Sequence, residues 1–172
     1  MNYLRHLSVI ATFTLFSFVQ MQAQDYQSAI GLRMGSPVSV SYKTFLSETN
    51  ALEAFVSFRS NTISRSLGGH KWSYIGIGAA YQVHAPLEIQ GLDGLYWYYG
   101  AGGSIYFWNY NDAFFDDYGN MSLGIQGYLG LDYKFDGAPI NMSVDWVPSF
   151  FINGYITGFG ANYGAFSVRY TF

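Results

Sequence analysis

The sequence predicts an all-β fold, an eight-stranded antiparallel up-and-down transmembrane β-barrel that follows a cleaved N-terminal segment. Three observations lead to this prediction. Charged residues make up 11% of the 172-residue chain and aromatic residues 20%, so there is too little charge to cover a water-facing surface. Apolar and polar residues alternate with a period of two, which is typical of strands. Turn-forming residues divide the chain into segments of about ten residues, the length of a tilted membrane-crossing strand.

The first 24 residues have the three-part pattern of a secretory signal peptide. A short start with one arginine precedes residues 7–19, which are almost wholly apolar, and a short polar stretch follows. The apolar run is too short for a membrane-spanning helix, which needs about 20 residues. We expect cleavage after Gln24, with Ala23 as the alternative, which leaves residues 25–172 as one outer-membrane β-barrel domain.

Eight strands are predicted within this domain, and no window has the period of a helix. The strands are expected near 27–34, 38–46, 51–59, 72–84, 95–108, 121–135, 140–152 and 162–172. The connections between them contain Gly, Pro, Asn, Asp or Ser, which form turns for steric reasons. They are expected at 35–37, 47–50, 60–71, 85–94, 109–120, 136–139 and 153–161.

One face of every predicted strand is free of charge. Its largest members are Ile30, Leu32, Met34, Val38, Val40, Tyr42, Leu52, Val56, Phe58, Ile75, Ile77, Tyr81, Val83, Trp97, Tyr99, Ile105, Phe107, Leu123, Ile125, Leu129, Leu131, Tyr133, Phe135, Met142, Val144, Trp146, Phe166, Val168, Tyr170 and Phe172. Aromatic residues on this face lie toward strand ends, where transmembrane barrels carry their aromatic girdles. We therefore expect this face to contact outer-membrane lipid.

The opposite face carries all the charge that lies within strands. Its charged members are Arg33, Lys43, Glu53, Arg59, Asp132, Lys134, Asp145 and Arg169, and Gly, Ser, Gln and Tyr lie between them. A barrel of about eight strands has an interior just wide enough for side chains to fill. We expect these residues to form an interior polar network in which the five basic and three acidic residues pair, with Asp132, Asp145 and Arg169 close together. The sheet must close, because backbone groups cannot stay unpaired in lipid.

The last strand has aromatic or apolar residues at alternate positions up to its end, namely Phe166, Val168, Tyr170 and Phe172. It resembles the C-terminal assembly signal of Gram-negative outer-membrane barrels, which implies recognition by the barrel-assembly machinery during insertion. Residues 26–172 as a whole are similar to small eight-stranded barrels of the OmpA/OmpX type. Residues 29–35 and 130–150 are especially similar to a subgroup of small barrel-domain proteins. The resemblance implies an integral, multi-pass protein of the cell outer membrane, exported through the periplasm, but it does not indicate an activity.

Several kinds of chemistry are disfavoured by the residues present. The absence of Cys excludes disulfides, thiolate metal sites and Cys nucleophiles, and the net charge of −3 offers no basic patch for nucleic acid. His70 and His84 lack the His-x-Ser arrangement of lipid A deacylases, and His84 is expected at the periplasmic end. The acidic connection at 109–120 lacks the ligand spacing of a calcium loop, so we expect no metal and no cofactor. A general water-filled pore needs about 16 strands and is disfavoured, and a narrow or gated leak stays open as an alternative.

The function expected from the sequence is therefore non-catalytic. The protein would be structural, or an accessory subunit of an outer-membrane complex beside larger outer-membrane proteins. One alternative is a surface adhesion or ligand-binding barrel that acts through the connections at 60–71, 109–120 and 153–161. A third interpretation, from another class, is a lipid-modifying outer-membrane enzyme.

Overall fold

The computed structural model of the protein describes residues 26–62, 71–110, 120–154 and 157–172, without the side chains of residues 61, 62, 71 and 110. The predicted signal peptide lies outside these ranges and stays a prediction. The described strands are β1 (Ser28–Gly35), β2 (Val38–Phe45), β3 (Asn50–Thr62), β4 (Lys71–Pro86), β5 (Leu95–Tyr110), β6 (Met121–Lys134), β7 (Ile140–Trp146), β8 (Ser149–Phe151), β9 (Gly158–Gly160) and β10 (Gly164–Thr171). Within the described ranges, no helix is long and apolar enough to cross a membrane.

The strands form one closed antiparallel sheet. Each strand from β1 to β6 pairs with the next along the chain, and β6 pairs with β7. β10 lies between β7 and β1 and closes the ring. Because β7 with β8 and β9 with β10 each form one interrupted strand of the wall, the barrel has eight strands. The predicted fold, an eight-stranded antiparallel β-barrel, is confirmed.

The prediction missed two interruptions in the last part of the wall. The predicted strand 140–152 is divided into β7 and β8 at Pro148, which has no N–H for the ladder, although the register to β6 continues from Trp146 opposite Leu129 to Ser149 opposite Gln126. The predicted connection 153–161 contains β9. Gly160 of β9 lies opposite Ser149, and Gly164 of β10 lies opposite Trp146. Three residues thus separate the pair on the β9–β10 side and two on the β7–β8 side, which is the arrangement of a β-bulge.

The register fixes the tilt of the strands. From Leu32, the row of paired residues reaches Leu123 on β6 when followed through β2 to β5, and Tyr133 on β6 when followed through β10 and β7. These two positions are ten residues apart, so the barrel has a shear of ten. With eight strands, a rise of about 3.3 Å per residue and a spacing of about 4.8 Å, this shear gives a tilt of about 40° from the barrel axis.

Side chains alternate between the two faces of the wall as the sequence pattern predicts. Large apolar residues are on the outer surface, where Val40 is 52% exposed and Phe58 59% exposed. Charged residues are inside, and Glu53 is 0% exposed. The outer surface of the described barrel is thus apolar, and its charged side chains lie inside.

The barrel wall has unequal height. We call the end that carries the β1–β2 and β5–β6 connections the upper end, and the end with Phe172 the lower end. β1, β2 and β10 have eight residues each, whereas β4 and β5 have 16 each. The last residue of β3 that pairs with β2 is Phe58, opposite Val38, and β3 continues from there to Thr62. The upper rim is therefore low at the β1–β2 turn and high at β3 to β6.

Candidate functional site

The lower half of the interior holds six fully buried charged side chains, which we call the charged core. They are Arg33, Lys43, Glu53, Asp132, Asp145 and Arg169, and each is 5% exposed or less. Six different wall strands supply them, and the two remaining strands contribute Gln82 of β4 and Tyr98 of β5. The whole circumference of the barrel thus takes part in one layer of polar contacts.

Four of these residues form a chain of ion pairs across the lumen. Arg169 Nη2 lies 2.6 Å from Glu53 Oε1, and Glu53 Oε2 lies 3.0 Å from Arg33 Nη1. Arg33 Nη2 then lies 3.1 Å from Asp145 Oδ2. Each residue of this chain is on a different strand, so the chain ties β10, β3, β1 and β7 together through the interior.

The other two charges form a separate pair nearer the lower end. Lys43 Nζ donates to Asp132 Oδ2 at 2.6 Å and lies 3.0 Å from His84 Nε2. Asn141 donates from its amide to Asp132 Oδ1. The ring of His84 stacks on Tyr98, with 4.9 Å between the ring centroids. This group thus joins β2, β4, β5, β6 and β7.

Neutral side chains satisfy the remaining hydrogen-bonding capacity of the charges. Gln82 donates to Glu53 Oε2 at 2.8 Å, and the Tyr98 hydroxyl donates to Asp145 Oδ2 at 2.6 Å. Arg169 donates to Ser41, Asn141 and Ser143 in addition to Glu53. Buried ion pairs are tolerated only when such extra hydrogen bonds compensate the loss of water. The charged core meets this condition, and its three positive and three negative charges sum to zero.

Two of the predicted network residues lie outside the charged core. The prediction that Arg59 and Lys134 pair with Glu53, Asp132 or Asp145 is wrong. Arg59, near the upper end of β3, lies over the Trp72 ring at 5.6 Å from its centroid. Lys134, at the lower end of β6, donates to the main-chain carbonyls of Phe135 and Ala138. Both residues face inward on the period-two pattern, but each lies at an end of its strand, beyond the level of the buried carboxylates.

Asp132, Asp145 and Arg169 lie on three successive strands as expected, and Asn141 bonds to both Asp132 and Arg169, but Arg169 makes no direct ion pair with either aspartate. In the register between β7 and β10, Arg169 lies opposite Asn141 and Asp145 lies opposite Ala165. The guanidinium of Arg169 therefore reaches Glu53 across the lumen, and Asp145 pairs with Arg33. Neighbouring strands place charges side by side, but long side chains find partners across the barrel.

Glycine residues on the inner face make room for large side chains, as the sequence predicts. A Cβ at Gly130 would lie 2.8 Å from the Tyr98 ring, and a Cβ at Gly76 would lie 2.7 Å from the ring of Tyr106. Atoms this close would clash, so neither tyrosine could keep its position beside a larger residue.

The upper half of the interior is aromatic. A cluster of buried rings, which we call the upper aromatic cluster, consists of Trp72, Tyr74, Tyr106, Trp108 and Phe151, with Tyr163 packed against it. Tyr74 and Trp108 make the closest ring contact, at 4.7 Å between centroids. The polar tips of the rings are hydrogen-bonded. Trp108 Nε1 donates to Ser122 Oγ at 2.7 Å, and the Gln126 amide donates to the Tyr106 hydroxyl. A cavity of about 60 Å³ lies between this cluster and the charged core.

The remaining predicted residues fall in different places. Phe166 and Tyr170 of the predicted assembly signal are on the outer face of β10, and Phe172 is exposed just beyond it. Val168 is on the same face and is partly exposed. His70 and residues 111–119 of the acidic connection lie outside the described residues. Among the described residues, no group of three or more His, Asp or Glu side chains is placed to hold a metal ion.

No protein-family model and no curated protein matches the chain.

Proposed function

We propose that the protein is an integral barrel of a Gram-negative outer membrane, with a structural or accessory role and without catalysis. One observation carries the proposal: the described wall is apolar on the outside and charged on the inside. A water-soluble protein would expose its charge and bury its apolar residues, because the hydrophobic effect favours that arrangement. Lipid outside the barrel reverses the preference, and the closed ring leaves no strand edge unpaired around the lower half.

The height of the apolar surface supports the same proposal. On β5, the outward side chains from Trp97 to Phe107 are all uncharged. Ten residues at about 3.3 Å each, tilted by about 40°, span about 25 Å along the barrel axis, which is the height of the lipid-facing band of outer-membrane barrels. Aromatic rings lie at the lower border, where Trp97 and Tyr170 are exposed.

The charged core, whose charges sum to zero, supports a structural role rather than a channel. Its six charged residues come from six of the eight wall strands and are almost completely buried, and Gln82 and Tyr98 extend the same polar layer to the other two strands. A water-filled lumen would leave these groups partly exposed. We propose that the core locks the strands in register and closes the lumen at its level.

The absence of catalysis is part of the proposal and has support from His84. This residue is 1% exposed and lies in contact with Lys43 and Tyr98. A histidine that serves as a general base must reach a substrate, and burial at this depth prevents it. The adhesion alternative depends on connections of which large parts lie outside the described residues, and it stays a prediction.

The proposal is tested by cell fractionation together with a gel assay. The chain without its predicted signal peptide should fold into lipid vesicles, and folded and boiled samples should migrate differently in a detergent gel, because a closed barrel resists detergent. The full chain expressed in a Gram-negative host should appear in the outer-membrane fraction. Recovery in the soluble periplasmic fraction, with identical migration of both samples, would contradict the membrane proposal.

The accessory role needs a separate experiment. The folded protein should be cross-linked in intact outer membranes and then purified in mild detergent. A larger outer-membrane protein cross-linked at stoichiometric yield is the expected result. Recovery of the protein alone, with the membrane more permeable in a deletion strain, would favour a purely structural role.

A further inference from the structure

The cavity in the upper half of the barrel has features that the proposed structural role does not use. Seven of its seventeen lining residues are aromatic, among them Tyr74, Tyr106 and Phe151. A barrel that served only as a membrane span would gain stability from filling this space, because empty volume in a packed interior is destabilising. The cavity is therefore a candidate binding site.

The cavity reaches the lowest part of the rim. Ser36 and Pro37, in the β1–β2 turn, line it on one side, together with Gly164 and Ala165 at the start of β10. The opposite side is the high wall of β4 and β5, which carries Tyr74 and the other rings. A ligand can thus enter over the β1–β2 turn, from the side of the barrel.

The charge beside the cavity is positive. Arg33 and Arg59 both line it, but Arg33 is neutralised by Glu53 and Asp145. Arg59 makes no ion pair with any carboxylate of the described residues, and its guanidinium rests over the Trp72 ring. A guanidinium at the edge of an aromatic cavity attracts an anion more strongly than a cation in water, because the surroundings have a low dielectric constant.

The size of the cavity limits the ligand. One water molecule needs about 10–15 Å³ measured in this way. The volume of about 60 Å³ holds a few methylene groups, and a long acyl chain does not fit inside.

We propose that this cavity binds a small amphipathic anion, a carboxylate with a short alkyl chain. The alkyl chain lies among Tyr74, Tyr106 and Phe151, and the carboxylate accepts hydrogen bonds from the guanidinium of Arg59. The planar fork of arginine matches the two oxygens of a carboxylate. This inference does not depend on the membrane proposal, because it rests on the interior of the folded barrel alone.

Hexanoate is the probe for the experiment, and hexanamide is its uncharged analogue. The protein carries the substitutions Trp97→Phe and Trp146→Phe, which remove the two tryptophans of the outer surface and leave Trp72 and Trp108 beside the cavity. Folding of every variant is verified first by its migration in the gel assay. Binding is then followed by tryptophan fluorescence in vesicles of neutral lipid.

The expected result is a saturable fluorescence change with hexanoate that hexanamide does not reproduce. Arg59→Gln should weaken hexanoate binding about tenfold, the loss of one charge-assisted contact, and Arg59→Lys should retain part of the affinity. Lys134→Gln, the matched removal of a positive charge at the lower end, should leave binding unchanged. Ala165→Leu should weaken binding without changing any charge, because its side chain fills the cavity.

Three results would overturn the proposal: no saturable binding of hexanoate by the folded parent protein, equal binding of hexanamide, or parental affinity in folded Arg59→Gln. A failure of this kind would leave the membrane proposal intact, since fractionation and gel migration measure that proposal separately.

Discussion

The lower and the upper half of the barrel interior solve the same packing problem in different ways. Below, six charged side chains are paired and nearly inaccessible, and their charges sum to zero. Above, aromatic rings contact one another around a small cavity, and Arg33 and Arg59 lie at its border. The difference follows from the height of the wall, because only the lower half is enclosed by all eight strands.

A layer of buried charge needs a complete enclosure. Each charge loses its water, so each must find a partner and fill its remaining hydrogen-bonding positions with protein groups. In the lower half, residues from every wall strand are within reach, and Glu53 receives contacts from Arg33, Arg169 and Gln82. The low rim at the β1–β2 turn makes such an enclosure impossible further up.

Tyrosine and tryptophan suit the half-open upper interior. Their rings bury apolar area, while their polar tips can bond to protein or to water. Tyr106 and Trp108 bond to Gln126 and Ser122, yet the cluster leaves space that a ligand can enter. The proposed roles divide in the same way, since we propose that the charged core holds the strands together and that the upper half binds a ligand.

The largest expected effect is the loss of the shared acid of the charged core. Glu53→Ala leaves Arg33 without one of its two partners and Arg169 without its carboxylate, and breaking a buried pair typically costs about 3–5 kcal/mol. Urea unfolding of the protein in lipid vesicles measures the loss. Glu48→Ala, an exposed acid in the β2–β3 turn, is the matched control and should change stability by less than about 0.5 kcal/mol. Equal unfolding of the two variants would mean that water screens the interior.

A smaller net effect is expected when a whole pair is removed. Lys43→Met and Asp132→Leu should each destabilise the barrel, because each leaves an unpaired buried charge. The double variant should recover most of the loss, since replacing a buried pair with apolar residues of similar size is often neutral. A double-mutant cycle on unfolding free energies measures this coupling. If the two losses simply add, the two residues are not paired.

The outer surface provides the next comparison. Val144→Arg places a charge on the outer face near the middle of the wall, where the cost in lipid is about 2–4 kcal/mol. Ser60→Arg, on the outer face near the upper end of β3, should cost about 1 kcal/mol or less, because charges near the interface reach water. Folded yield and unfolding in vesicles measure both. A reversed order would contradict the proposed position of the membrane.

The positions of the strands and the inward or outward direction of their side chains could be predicted from the sequence. Alternation and turn residues are properties of neighbouring positions, and they place β2 and β6 within one residue of their ends. The inward phase of Arg33, Lys43 and Asp132 follows from the same pattern. The same pattern places His84 in the interior, because it has the phase of Gln82, and the structure buries it there.

The pairing of the charges could not be predicted, because it depends on the shear. Arg33 and Glu53 are on strands that are not neighbours, and the register of eight strands decides whether they meet. In the sequence Ser143 is only a small polar residue between charged positions, yet it accepts a hydrogen bond from Arg169 at 2.8 Å. That hydrogen bond joins diagonal neighbours on the adjacent strands β7 and β10, so it depends on the register between strands, which no local period encodes.

The smallest expected effect on stability is that of Arg59→Gln. Arg33, which also faces inward, provides the comparison. Arg59→Gln should cost about 0.5–1 kcal/mol, the value of a partly exposed cation–π contact, whereas Arg33→Gln should cost clearly more because it leaves Asp145 without its ion pair. Urea unfolding of both variants under identical conditions makes the comparison. A loss for Arg59→Gln as large as that for Glu53→Ala would place Arg59 in the structural core. A small loss, with hexanoate binding weakened in the same variant, is the combination expected of a residue that binds a ligand and that the barrel does not need for folding.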